Sequence, residues 1–199
     1  SLSFIVTAAA TGRLLTGRPE DLVFWLTLGA LAFSLWSCMA LPDARPGKAS
    51  RARAPLLGVL RTKSFALFLA AAALVQGSHA VYYAFGTLHW RAAGHSDTLI
   101  GLLWAEGVIA EIALFAVGAR VLKVFTPAGL IALGGAAGAL RWTVTGVSSD
   151  LPVLFVMQAL HAFTFGAAHL GAMHFVARAV PISESATAQS LYSAASIGA

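Results

Sequence analysis

The sequence has 199 residues, 58% of them hydrophobic and only 11% charged, with a mean hydropathy of +0.80. A soluble domain carries about 25% charged residues, and a soluble core of this length has too little interior to hide so much apolar surface. The net charge of +5 does not signify nucleic acid, because the basic residues gather between apolar runs rather than on one face, and the single cysteine, Cys38, excludes a disulfide scaffold.

A helix needs about 20 apolar residues to cross the hydrocarbon core of a bilayer. Taken in chain order, Ser1 to Ala10 reads as the end of one such span, and full-length runs follow at Leu22–Leu41, Ser64–Thr87, Thr98–Ala119, Pro127–Val147 and Pro152–Ala177. Ser185 to Ala199 reads as the start of another. The expectation is therefore seven membrane segments in an all-α bundle, and a piece of a longer chain. All seven prolines fall at or between these span ends, where a missing N–H costs least. Helix-capping residue types precede several starts: Ser96 and Asp97, Thr126, and Asp150.

The stretch 42–63 carries Arg45, Lys48, Arg51, Arg53, Arg61 and Lys63, and Arg120, Lys123 and Arg178 fall on the same side of the predicted bundle. The other side has Arg13, Arg18 and Arg91. Short basic loops face the cytoplasm, so 42–63 is expected to be a cytoplasmic linker. It divides residues 1–41 from residues 64–199, either as the join between the end of one half and the start of a second in transporters built from two repeated halves, or as an ordinary positive-inside loop with no repeat meaning. In the run from Gly134 to Ala139, Gly134 and Gly138 stand at GxxxG spacing, which predicts close helix packing.

Ionisable and strongly polar residues inside spans are costly and mark function. Gln76, His79 and Tyr83 share one face of their helix at i, i+3, i+7, while Glu106 and Glu111, five apart, diverge by about 140°. Arg141 stands alone in its span, and Gln158, His161 and His169 fall at i, i+3, i+11 with His174 beyond them. At about 1.5 Å rise per residue, Glu106, His79, Arg141 and His161 all sit roughly 9–14 Å below the outer boundary, with Glu111 deeper. An acid, a base and two imidazoles are thus expected in one layer. The glutamates are candidates for holding a proton reversibly, with His161 sharing it. Gln76, His79, Tyr83, Trp104, Gln158 and His169 are candidates for lining a cavity. Arg141 either pairs a glutamate in a static network or attracts the charge of a solute.

Several strings resemble the phenylpropionate permease branch of the major facilitator superfamily. They are Gly77-Ser78-His79-Ala80-Val81-Tyr82-Tyr83-Ala84-Phe85, Ile100 through Glu111, Gly138-Ala139-Leu140-Arg141-Trp142, Gln158-Ala159-Leu160-His161-Ala162, Thr164 through Met173, and Ala188-Gln189-Ser190-Leu191-Tyr192. They cover nearly the whole chain in order. The resemblance implies a parent of twelve spans, with this piece running from about the fifth to the eleventh, in a bacterial inner membrane. It also implies alternating access by two six-helix halves and proton symport of a small organic solute such as an aromatic carboxylate. The chain is similar, more distantly, to sugar and nucleoside proton symporters. The family's basic signature between the eighth and ninth spans is reduced here to Gly118-Ala119-Arg120-Val121-Leu122-Lys123. The partners implied are a small molecule, protons, the lipid bilayer and the remainder of the twelve-span chain, with no cofactor and no nucleic acid. Two rival readings differ in class. A haem or metal enzyme using His161, His169 and His174 suffers from divergent ligand spacing, and a non-transporting sensor or assembly subunit on the same scaffold is allowed because fold does not fix function.

Overall fold

The computed structural model describes residues 2–18, 21–39 and 62–197, all of whose regular elements are helices. The linker predicted at 42–63 therefore lies almost wholly outside the described residues. In chain order the helices are α1 (Leu2–Leu15), α2 (Asp21–Met39), α3 (Lys63–Gly77), α4 (His79–Ala92), α5 (Asp97–Ala116), α6 (Gly118–Val124), α7 (Pro127–Val147), α8 (Leu151–Ala159), a π-helical segment (Ala162–Ala167), α9 (Ala168–Ala179) and α10 (Ile182–Ile197). Five rods are long and apolar enough to cross a membrane: α2, α3–α4, α5, α7 and α8–α9. They coincide with the five full-length runs expected from hydropathy.

The breaks inside the long rods are local. Ser78 separates α3 from α4 yet keeps α-helical backbone angles, and its hydroxyl donates to the Val75 carbonyl at 2.6 Å. The capping expectation holds at two starts. The Thr126 Oγ1 accepts from the Gly129 N–H at 3.0 Å, and the Ser96 Oγ accepts from the Leu99 N–H at 3.4 Å. Asp150 occupies the cap position of α8, but its side chain makes no cap bond.

The two rods α3–α4 and α8–α9 run antiparallel, as paired side chains show: Phe68 stacks on Phe175, His79 meets Thr164, and Tyr82 meets Gln158. Apolar side chains cluster at both ends of this pair. Phe65, Phe68, Ala72, Ile131, Ala172, Val176, Ala188 and Tyr192 form one core, and Tyr82, Trp90, Ile100, Leu103 and Leu154 form the other. The polar residues predicted to matter lie between them. Elsewhere large apolar side chains face outward, among them Phe24, Trp25, Phe33, Leu74 and Val81, as expected where lipid is the solvent.

Close helix crossings rest on glycine. A Cβ on Gly12 of α1 would stand 2.6 Å from the Asp97 carbonyl oxygen, and one on Gly101 of α5 would stand 2.6 Å from that of Ala8. A Cβ on Gly134, read from the sequence as a packing residue, would stand 2.9 Å from the Ala168 Cβ and 3.1 Å from the Phe163 carbonyl oxygen, so α7 lies close against the π-helical segment and α9. Gly138 faces the Trp142 ring of its own helix.

Candidate functional site

Arg141, near the end of α7, is 1% exposed, and its hydrogen bonds and ring contacts among the described residues are all to neutral groups. Its NH1 donates to the His161 Nδ1 at 3.2 Å and to the Thr164 Oγ1 at 3.1 Å, while NH2 donates to the Gln158 Oε1 at 2.6 Å. The guanidinium carbon lies 4.6 Å from the centre of the Tyr82 ring and 4.8 Å from that of Trp142, close enough for each ring face to attract the cation. Among the described residues no carboxylate comes within 4.0 Å of this guanidinium, and its Nε has no hydrogen-bond partner.

The bonds around Arg141 fix the protons of its neighbours, because a guanidinium only donates. The His161 Nδ1 must accept, which leaves its proton on Nε2, and that nitrogen faces the Glu111 Oε2 at 3.6 Å. The Thr164 oxygen accepts from Arg141, so its own proton goes to the His79 Nε2 at 3.1 Å. His79 then carries its proton on Nδ1 and donates to the carbonyls of Val75 and Gln76. Gln158 fastens the cluster to α5: its Nε2 donates to the Leu103 carbonyl at 2.7 Å, and its Oε1 also accepts from the Tyr82 hydroxyl at 2.5 Å.

This cluster forms one wall of a cavity of about 460 Å³, whose lining includes Tyr83, Trp104, Glu111, Arg141, Gln158 and His161. A second cavity of about 390 Å³ lies next to it, bounded by Gln76, His169 and Tyr192 and sharing Tyr83 and Phe165 as a common wall. Phe165 is stacked between two imidazoles, with ring centres 5.4 Å from His161 and 6.0 Å from His169.

The structure thus brings Glu111, Arg141, Gln158 and His161 together, with Tyr83 and Trp104 on the same cavity wall. Trp104 is fixed there by its Nε1–H donating to Thr87 at 3.0 Å. Gln76 and His169 belong to the second cavity. His79 lines neither and stands behind Thr164 as a support. Glu106, also absent from both linings, is half-buried, and its Oε2 has no hydrogen-bond partner. The diverging directions of the two glutamates are thus seen in the structure. His161 and His169 are held apart by Phe165, so the set His161, His169 and His174 does not converge on a common point. Thr164 was not singled out from the sequence. Its signal was present, three residues after His161 and six after Gln158, but a threonine in an apolar helix draws no attention by residue type alone.

The model of the MFS_1 like family matches residues 1–199, the whole chain. The chain belongs to this family of the major facilitator superfamily. Among curated proteins, this facilitator is 34% identical over 203 residues to the probable 3-phenylpropionic acid transporter of Escherichia coli (strain K12), an alignment covering 100% of this chain and 53% of that relative. That identity, with the family match, places it in the phenylpropionate permease branch, and the chain spans about half the length of the curated relative it matches. No solved structure matches. The described helices are accordingly part of a major-facilitator bundle, and the facilitator is a multi-pass membrane protein.

Proposed function

We propose that this chain is part of a transporter that carries a small organic carboxylate, an aromatic one such as phenylpropionate, across the bacterial inner membrane together with a proton. The observation that carries this reading is the buried Arg141 guanidinium, which has no carboxylate partner among the described residues yet forms the wall of a cavity. An uncompensated buried charge is costly. A carboxylate entering the cavity supplies the missing counter-charge, and the aromatic lining from Tyr83 and Trp104 suits a ring attached to it. The named substrate of the Escherichia coli relative has both features.

Proton linkage follows from how Arg141 holds His161. While NH1 bonds to Nδ1, that nitrogen cannot take a proton. A carboxylate that draws the guanidinium toward itself releases Nδ1, and the imidazole can then accept a proton from the cavity while its Nε2–H stays aimed at Glu111. His161 then passes its Nε2 proton to the Glu111 carboxylate that it faces and keeps the new one on Nδ1, so solute and proton occupancy are coupled through one side chain, with Glu106, five residues earlier on α5, as a second acid farther from the site. Orientation, with 42–63 on the cytoplasmic face, rests on the distribution of basic residues.

The test is uptake by the full-length protein in energised vesicles, screened with aromatic acids, nucleosides and sugars. A carboxylate should accumulate against its gradient, and the double substitution Glu106→Gln with Glu111→Gln should abolish accumulation. Undiminished accumulation in that variant would remove the proton assignment. Transport confined to sugars or nucleosides would remove the carboxylate assignment.

A further inference from the structure

The second cavity differs chemically from the first. Its lining contains Gln76, Tyr83, Phe165, His169 and Tyr192 but no lysine, arginine, aspartate or glutamate. The Gln76 Nε2 donates to the Tyr192 hydroxyl at 3.4 Å, and that hydroxyl lies 3.2 Å from the His169 Nδ1. Gln76 is 7% exposed, and its Oε1 is buried without a hydrogen-bond partner. The Ser196 Oγ on the same lining is likewise buried without a partner; a buried polar atom left unpaired is unfavourable, so two such atoms, an amide oxygen and a hydroxyl, stand among the aromatic faces of this cavity.

Position matters as much as chemistry. Along α3–α4 the second cavity uses Gln76, Gly77 and Ala80, whereas the first uses Tyr82 and Tyr83. Along the antiparallel rod the first uses Gln158 and His161, and the second uses His169. Both displacements point toward the ends marked by Lys63 and Ala179. The two cavities are therefore successive along the rods, with Tyr83 and Phe165 between them. A volume of about 390 Å³ is within the range of about 300–1,000 Å³ typical of small-molecule sites.

We infer that the second cavity is a binding station for an uncharged aromatic group bearing a hydroxyl, that is, a phenol. The hydroxyl donates to the Gln76 Oε1, and the ring lies among Phe165, Tyr83 and Tyr192. A carboxylate fits poorly because the lining offers no lysine or arginine to offset its burial. For its place on a route the station rests on the transporter reading. For its chemistry it does not.

The test is equilibrium binding of p-cresol and toluene to the full-length protein in nanodiscs, followed by saturation-transfer NMR with empty nanodiscs subtracted. The two probes share size and ring, and differ by the hydroxyl. The native protein should bind p-cresol about tenfold more tightly than toluene, the effect of one hydrogen bond to a buried acceptor. Gln76→Met should bring the ratio to within about twofold of unity. Tyr192→Phe, which removes the hydroxyl that holds the amide in place, should lower it in the same direction and serves if the methionine variant does not fold. Equal binding of both probes by the native protein overturns the inference, as does an unchanged ratio in a folded variant. Failure of carboxylate accumulation with the probe ratio intact counts against the proposed transport reaction alone.

Discussion

The Arg141 cluster and the crossing of α1 over α5 both hold helices in register, but by different materials. At the crossing, backbone meets backbone: Gly12 and Gly101 bring Asp97 and Ala8 carbonyls to distances no Cβ tolerates. Around Arg141 the helices are joined by side chains from α4, α7, α8 and the π-helical segment, through hydrogen bonds that can be exchanged for others. The first kind of contact is sensitive to volume and indifferent to charge. The second is sensitive to charge and hydrogen-bonding pattern. This difference separates a part that fixes the scaffold from a part equipped to change partners.

Substitutions can break that contrast or sharpen it. The largest effect is expected for Arg141→Met, which should lower uptake of a carboxylate by about 100-fold, the scale of losing a desolvated charge pair. It should change thermal stability in detergent little, because removing an uncompensated buried charge offsets the hydrogen bonds lost by Gln158, His161 and Thr164. A collapse of stability instead would make Arg141 a scaffold residue and erase the distinction. Next, Glu111→Gln should eliminate accumulation against a gradient while solute still equilibrates, measured as the final inside-to-outside ratio. Glu106→Gln should have the smaller effect, since only Glu111 faces His161. Thr164→Val, which keeps shape but removes the bridge between Arg141 and His79, should reduce uptake about tenfold, the scale of one hydrogen bond to a charged group. Serine at that position should restore it. Gly12→Ala should act in the opposite manner, costing about 1–3 kcal/mol of stability through overpacking, read by thermal unfolding. The smallest change is expected for Gly29→Ala in α2, where nothing lies within 4 Å of the added Cβ and the gain is below about 1 kcal/mol.

Much of this architecture was legible because lipid imposes length and proline marks ends. Pro127 and Pro152 lie in the first turns of α7 and α8, and the apolar runs map onto the rods. That Arg141 and His161 share a level was legible too, since depth along straight helices is simple arithmetic, but the same arithmetic put Glu106 in that layer and Glu111 deeper, whereas the acid that faces His161 is Glu111. What escaped was rotation. The stripe Gln158, His161, His169 assumed an unbroken α-helical period, but the π-helical turn at Ala162–Ala167 intervenes and alters the phase of everything after it. His169 therefore faces a different cavity from His161. No local residue signal announces that turn. Nor does hydropathy show that Arg141 is held by amide, hydroxyl, imidazole and ring faces, with no acid among its described contacts. That depends on which side of α5 each glutamate presents.

The indole of Trp142 lies beneath the Arg141 guanidinium, at 4.8 Å from its carbon, and donates its N–H to Ser78 at 3.0 Å. An indole's emission responds to a charge placed over its face. Any solute that shifts the arginine should therefore change the colour of the protein's ultraviolet fluorescence, giving an optical readout of occupancy that needs no label.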